Sequence, residues 1–523
     1  MQNPAIHPRP KGEIAALAAI SAILVVVALT RREFIGDGVR HLSGALSGPL
    51  QFGEARWVLF PPLLLVVMRP LAAAGLVTSV QSAIQPLLWL DVACGIVLLW
   101  RLGAWLRTET QDSGAAVAAL WLAAACAPFL MLFSDIAEVQ ISATLAVVAL
   151  SYARTHPRGE TGTLVAIAGI AGAALIYQGT ILAWGMLPLV APSGVLRRRR
   201  VLVALAAALA AVPLVMILAQ AAGGLRFDAA VRTALGGERN PLARSLMTRW
   251  SMPKFVVASI AGPPQAIVAL KDFAGMRALL NAWHGSDAAA RTTAAANLAR
   301  LLLGLAVMAL LLITTIRRRD WRLLFAAVVI LVLPLLRNQQ YAYLKFFAVW
   351  PVIVALAAVR CRPRTIALAA AIVLIANAWV VGSQVAEGRR RYAALRQAFA
   401  GASPETCWMT SGWAPPMWYL WPGTSAPVLG TLATGTDPHQ QSLILTAALQ
   451  RCFCESAAVW TDTTARDTAT LAALTTHFDY GVVDLTTILM PDTSAPATFP
   501  PDIRVYPAAT QQAVCRQIAS AGR

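Results

Sequence analysis

Ile14–Thr30 reads IAALAAISAILVVVALT, an unbroken apolar run without a charged residue. At 1.5 Å per residue such a run covers most of the roughly 30 Å of hydrocarbon in a bilayer. Nothing in it alternates as a half-buried strand would. Lipid offers no water to the peptide groups, so the segment must close its own hydrogen bonds as a helix. Arg9 and Lys11 stand just before it. A basic start and an apolar middle also mark secretory signals. A clean A-x-A cleavage pattern is missing and further apolar runs follow, so the run is read as an uncleaved first helix.

Similar runs lie near 83–100, 114–133, 138–153, 161–177, 180–196, 201–222, 299–316, 322–336, 343–359 and 365–383. The sequence therefore predicts a mainly α, polytopic membrane protein of about eleven spans. Composition agrees: 58% of residues are hydrophobic and 13% charged, where a soluble domain carries about 25% charged residues. The net charge of +18 is almost all arginine in short loops. No basic patch with interleaved aromatics accompanies it, which argues against nucleic acid as a partner. The basic clusters are Arg101/Arg107, Arg154/Arg158, Arg197–Arg200, Arg317–Arg322 and Arg360–Arg364. With the N-terminus in the cytoplasm, all of them fall on the cytoplasmic side, as the positive-inside rule requires. One segment, Trp57 to Val77, is apolar enough to span but would turn every later cluster outward. It also holds Pro61, Pro62, Arg69 and Pro70. It is read as an interfacial or re-entrant helix.

Three regions follow: a membrane module over 1–383 with outer loops at about 31–81 and 223–300, an interfacial linker over 384–404, and a soluble α/β domain over 405–523 on the extracytoplasmic side. The tail is acidic, with nine acids against five bases from Gly401 to Arg523. Strands are predicted at Cys407–Ser411, Ala457–Thr461 and Tyr480–Leu485, and helices at Leu443–Cys454, Ala465–Thr476 and Thr510–Ala519. Cys407, Cys452, Cys454 and Cys515 permit two disulfides in an oxidising compartment, in any of three connectivities. Free buried thiols or a metal are the other readings. Trp408, Trp413, Trp418, Trp421 and Trp460 suit a core, an interface or a sugar-stacking surface.

The chemistry-bearing residues gather near the outer ends of spans. Asp37, flanked by Gly36 and Gly38, follows the first span and can accept a proton or bind a cation. A solvated turn aspartate is the plainer reading. Glu54 is a second acid in the same loop. Asp135 and Glu138, three apart, share a face if helical. Capping a helix start would explain them too. Arg337, Tyr341 and Lys345 recur every four residues, which suits a phosphate or pyrophosphate. Snorkelling to headgroups is the alternative. Asp91 is a lone carboxylate within the second span; there it must be protonated, paired or facing water.

An acid in the first outer loop, an acidic pair after the third span and an Arg/Tyr-rich end on a late span together resemble the GT-C superfamily of integral membrane glycosyltransferases. The resemblance covers roughly Ile14 to Ser383. It implies transfer of a hexosyl or pentosyl group from a polyprenyl-phosphate or pyrophosphate carrier to a glycan, lipid or protein acceptor on the outer face of a bacterial inner membrane. The role of catalytic or metal-binding acid then falls to Asp37. Asp135, Glu138 and Glu54 would position the acceptor. Arg337, Tyr341, Lys345 and Arg40 would bind the lipid phosphate. Many members pair acids in the first loop, whereas Asp37 stands alone. No cofactor is certain; a divalent cation, Mg or Mn, would fall to Asp37, Asp135 and Glu138. The Tyr177–Gln178 pair is compatible with the same pattern. A lipid-linked glycan polymerase or ligase, a transporter or flippase, and a non-enzymatic scaffold are the rival readings. Transporters show internal repeats and mid-membrane coupling residues, neither of which is prominent.

Overall fold

A computed structural model describes residues 10–32, 42, 58–134, 139–156, 159–222, 227–234, 260–261, 284, 288–336, 349–400, 402–410, 424–427, 450–461 and 504–521. Each of the segments predicted to span contains helix among these residues. The helices are α1 (Lys11–Thr30), α2 (Phe60–Ala73), α3 (Val80–Glu109), α4 (Ser113–Ala125), α5 (Ala127–Leu132), α6 (Val139–Thr155), α7 (Glu160–Ile176), α8 (Leu187–Val190), α9 (Arg199–Ala222), α10 (Phe227–Ala234), α11 (Ala288–Arg317), α12 (Trp321–Leu336), α13 (Trp350–Ala358) and α14 (Pro363–Phe399). Among the described residues, five helices are long and apolar enough to cross a membrane: 11–30, 81–109, 199–222, 294–317 and 363–397.

Two predicted spans are built differently from the expectation. The run 114–133 breaks at Cys126, whose φ of −57° and ψ of 137° leave the helix. Pro128 has no N–H to continue the ladder, and its ring would strike the carbonyl four residues back. It is placed instead in the first turn of α5. The run 180–196 is mostly a 3-10 helix, Gln178–Met186, followed by the short α8. Gly185 there lies so close to Val329 of α12 that a Cβ would come within 2.6 Å of its Cγ1.

A connected set of polar contacts gathers the basic clusters at one end of the bundle. Glu13, in the first turn of α1, pairs with Arg107 in the last turn of α3. Glu109 accepts from Trp105 Nε1 at 3.1 Å and from Arg154 Nε at 2.9 Å. Arg360 stands 3.7 Å from the same carboxylate and 2.5 Å from Asp320. Arg198 pairs with Glu160, and Arg322 donates to Ser193. These pairs join the ends of α3, α6 and α13 with the starts of α1, α7, α9 and α12.

The Glu13–Arg107 pair also makes α1 and α3 antiparallel, so the chain between them makes no net crossing. At the far end Gln81, at the start of α3, donates to the hydroxyl of Tyr392 on α14. Leu59 N, just before α2, donates to Leu175 O at the end of α7 at 3.0 Å. The two ends of α2 therefore sit at the same far end of the bundle. Its buried face is Phe60, Leu64 and Met68, while Val66 is exposed. It starts beside the end of α7 and ends seven residues before α3 begins.

α6 and α7 form an antiparallel hairpin with a seam of small residues on both sides. Ser142, Ala146, Ala149 and Ala153 face Gly162, Ala166, Gly169 and Ala173 at the same spacing. Lipid gives no hydrophobic drive between helices, so close backbone approach through small residues supplies the packing. Ser142 Oγ donates to Ala173 O at 2.8 Å. Thr144 and Ser151 hydroxyls reach across to Cys94 O and Arg101 O of α3.

α14 is 37 residues long, or about 55 Å, well beyond the hydrocarbon thickness. It runs straight through most of the segment the sequence assigned to a linker. Leu395 and Phe399 on its end pack against Trp408 and Trp460 of the tail. Those two tryptophans are therefore core residues and not sugar-stacking platforms; Trp413, Trp418 and Trp421 lie outside the described residues. The tail sheet runs β2 (Thr424–Pro427), β1 (Thr406–Thr410), β3 (Ala458–Thr461), β4 (Arg504–Val505). β1 is parallel to both neighbours, and β3 pairs antiparallel with β4. β2 and β4 have no counterpart in the sequence reading. The predicted helix over 443–454 is described only at its end, as a single π turn, Arg451–Glu455. α15 (Ala508–Ala521) closes the domain. The strand at 480–485 and the helix at 465–476 lie outside the described residues. The disulfides are Cys407–Cys452 and Cys454–Cys515, which tie β1 to the π turn and the π turn to α15.

A side chain at Gly169 would collide with the Cβ of Ala149. Gly169→Leu is expected to cost about 1–3 kcal/mol, read as a lower melting temperature in detergent. Denatured, unreduced protein is expected to alkylate only at Cys94, Cys126 and Cys361, and at all seven cysteines after reduction.

Candidate functional site

The end of the bundle opposite the basic clusters is organised around the break at Cys126. Leaving the helix there frees the carbonyl of Ala125. Asn377, buried on α14, donates to it at 2.6 Å and to Ile260 O at 2.6 Å. One amide thus ties the α4–α5 break to the long segment between α10 and α11.

α5 is short, and its last carbonyls each receive a side-chain donor. Ser134 Oγ donates to Leu130 O at 2.5 Å. Arg31 Nη1 donates to Met131 O at 3.3 Å. Gln140 Nε2 donates to Leu132 O at 2.5 Å. The C-terminal end of a helix carries partial negative charge, so a cation there is favoured. Arg31 is only 2% exposed. It belongs to the last residues of the α1 exit, with its own N–H on Val27 O. One guanidinium therefore fixes the start of the first outer loop against the residues that lead into Asp135.

The far side of the same end is pinned as well. Tyr177 takes an extended conformation between α7 and the 3-10 helix, with φ −143° and ψ 114°. Thr180 N donates to its carbonyl, and the Thr180 hydroxyl bonds to Ser142 on the first turns of α6. α12 starts at the basic end beside Asp320 and packs along the 3-10 helix, so its last residue, Leu336, reaches this end too.

The sequence-predicted site residues themselves, Asp37, Arg40, Glu54, Asp135, Glu138, Arg337, Tyr341 and Lys345, lie outside the described residues. The described flanks are these: 32 and 58 for the first loop, 134 and 139 for the acidic pair, 336 and 349 for the cationic motif. The structure joins the first flank of the loop to the approach of the acidic pair through Arg31 and Met131 O, ties the second flank to the end of α7 through Leu59 and Leu175, and sets the beginning of the third at the same end. Asp91 is fully buried on α3, turned into the bundle and not toward lipid. Among the described residues no three His, Cys, Asp or Glu side chains stand together as a metal site. Sequence reasoning passed over Arg31, Ser134, Gln140 and Asn377. The one signal was an arginine at the end of an apolar span, on the side that lacks the other basic clusters.

No family model matches the chain, and no curated protein matches it. Among solved structures it is similar to the oligosaccharyltransferase of Archaeoglobus fulgidus, in a complex with Zn and sulfate, at 14% identity and a TM-score of 0.46, over 87% of this chain and 69% of that one. It is also similar to ArnT from Cupriavidus metallidurans bound to undecaprenyl phosphate, at 13% identity and a TM-score of 0.45, over 95% and 98% of the two chains. The archaeal oligosaccharyltransferase AglB from Archaeoglobus fulgidus, in complex with an inhibitory peptide and a dolichol-phosphate, matches at 14% identity and 0.44, over 91% and 72%.

Replacing Arg31 by Met keeps its stem but removes the donor to Met131 O. The loss is expected to be about 1–3 kcal/mol for a buried hydrogen bond to a charged group, measured by thermal unfolding in detergent. Arg32→Met, at an exposed neighbour, is expected to change little.

Proposed function

We propose that this chain is a membrane glycosyltransferase moving a sugar from a polyprenyl-phosphate-linked donor to an acceptor at the bundle end opposite the basic clusters. The observation that carries the reading is the contact of Arg31 with Met131 O. It joins the start of the loop that holds Asp37 to the segment that holds Asp135 and Glu138. The resemblance of those motifs to the GT-C pattern supplies the chemistry.

In this reading Asp37 is the general base. Its carboxylate takes the proton of an acceptor hydroxyl as that oxygen bonds to the anomeric carbon. The bond from the anomeric carbon to the lipid phosphate breaks, and the phosphate leaves with the electron pair. Attack from the opposite face inverts the anomeric configuration. Arg337 and Lys345, with Arg40, offset the charge that develops on the departing phosphate, and Tyr341 donates a hydrogen bond to it. Asp135, Glu138 and Glu54 orient the acceptor. α2, apolar on its buried face and lying along this end, offers a lateral path for the polyprenyl tail.

The basic end then faces the cytoplasm and the disulfide-bonded tail faces the oxidising side. The test is purified protein in nanodiscs, assayed against a panel of hexosyl and pentosyl polyprenyl phosphates. Asp37→Asn is expected to lower turnover about 10²–10⁴-fold with an unchanged melting temperature. Turnover near the wild-type level would remove Asp37 from the mechanism.

A further inference from the structure

The turn between α11 and α12 is built in a way that costs stability. Asp320 N donates to Thr315 O and Arg319 N to Ile316 O, the paired bonds that close a helix with a left-handed residue. That residue is Arg319, with φ 53°, and it is the one non-glycine residue with positive φ among the described residues. Glycine is the usual occupant, because a Cβ is strained there. Strain of this kind is kept where a side chain is needed.

The side chains around the turn explain what the position offers. Arg318, Arg319, Asp320, Trp321, Arg322 and Arg360 line a cavity of about 500 Å³ at the basic end. Asp320 is committed twice: Oδ1 caps α12 by accepting from Leu323 N at 3.1 Å, and Oδ2 holds Arg360 at 2.5 Å. Arg360 is further offset by Glu109. Arg318 and Arg319 have no carboxylate partner among the described residues, and Arg322 reaches only a serine hydroxyl. The cavity therefore presents three guanidinium groups whose charge is not locally neutralised.

Its surroundings are apolar. Trp321 is 63% exposed, Phe325 52% and Ile316 48%. Exposed tryptophan beside arginine is the signature of the membrane–water boundary, and the neighbouring apolar side chains offer a surface for acyl chains. A phosphate group is the ligand such guanidinium groups select.

We propose that this cavity binds the phosphate of an anionic phospholipid headgroup, with Arg319 held in its strained conformation for that contact. The site stands at the end of the bundle away from the acidic motifs and does not depend on the reaction assigned to them.

Arg319→Gly separates the two roles of the position. It relieves the backbone and removes the guanidinium. The full chain in detergent is titrated with phosphatidylglycerol, phosphatidylcholine or inorganic phosphate, with lipid retention followed by native mass spectrometry and stability by melting. The expected result is that Arg319→Gly melts higher than wild type without lipid yet retains phosphatidylglycerol about fivefold less well. Arg318→Ala with Arg319→Gly is expected to lower retention roughly 25-fold, from about one surface-charge contribution per arginine. Arg199→Ala with Arg200→Ala removes equal charge from the same end outside the cavity and is expected to change retention less than twofold. Equal loss in that control would overturn the site in favour of general surface charge. Binding of inorganic phosphate as tight as that of the lipid would overturn the lipid assignment. Unchanged retention in Arg319→Gly would remove Arg319 from the site.

Discussion

Glu109 is the residue on which the arrangement of the bundle turns. Its carboxylate is 14% exposed and takes Arg154 on one side and Arg360 on the other. A buried or half-buried charge is tolerated only when its partners are in place. Those partners come from α6 and from the turn after α13, helices that meet nowhere in sequence. Arg360 passes the constraint on to Asp320, and Arg107, on the same turn of α3 as Glu109, passes it to Glu13. A shift of any one helix by a turn would strand a charge in apolar surroundings. The ends of α3, α6 and α13 and the start of α1 are in this way held level.

From that fixed end the helices deliver their other ends to the opposite side, where hydrogen bonds to backbone take over from ion pairs. Pro128 forces the break after α4, which frees the Ala125 carbonyl for Asn377, and the early end of α5 leaves carbonyls that Arg31, Ser134 and Gln140 fill. In lipid an unfilled carbonyl is costly, so each donor fixes a position. The backbone leading into Asp135 is held by residues from α1, α6 and α14, and the small-residue seam of α6 and α7 carries that position down to Arg154. Under the proposed function a lipid substrate would meet a framework set before it arrives, as transition-state stabilisation by fixed charges requires.

Much of this was legible in the sequence because it depends on local composition. Apolar length marks a helix in lipid whatever it packs against, and the arginine clusters identify which helix ends lie together. For the segment Trp57–Val77 charge parity set the expectation of an interfacial or re-entrant helix, and residues 60–73 of it form α2. The cysteines of the tail were legible as a set, and the strands at 406–410 and 458–461 appeared as short apolar runs. β2 and β4 were missed because edge strands of four and two residues carry too few side chains to show a period.

What the sequence by itself determined, then, is which segments are apolar enough to be helices in lipid, the shared end of the basic clusters, and the residue types and spacing of the acidic and cationic motifs. These follow from transfer free energies and charge, which each segment carries alone. Only the tertiary structure decided the pairing Cys407–Cys452 and Cys454–Cys515, the reach of α14 into the tail core, and the partners of Arg31 and Asn377. Those two side chains find carbonyls 100 and 252 residues away. A hydrogen bond of that range is set by how helices pack, and packing is a property of the assembled chain, not of any stretch within it.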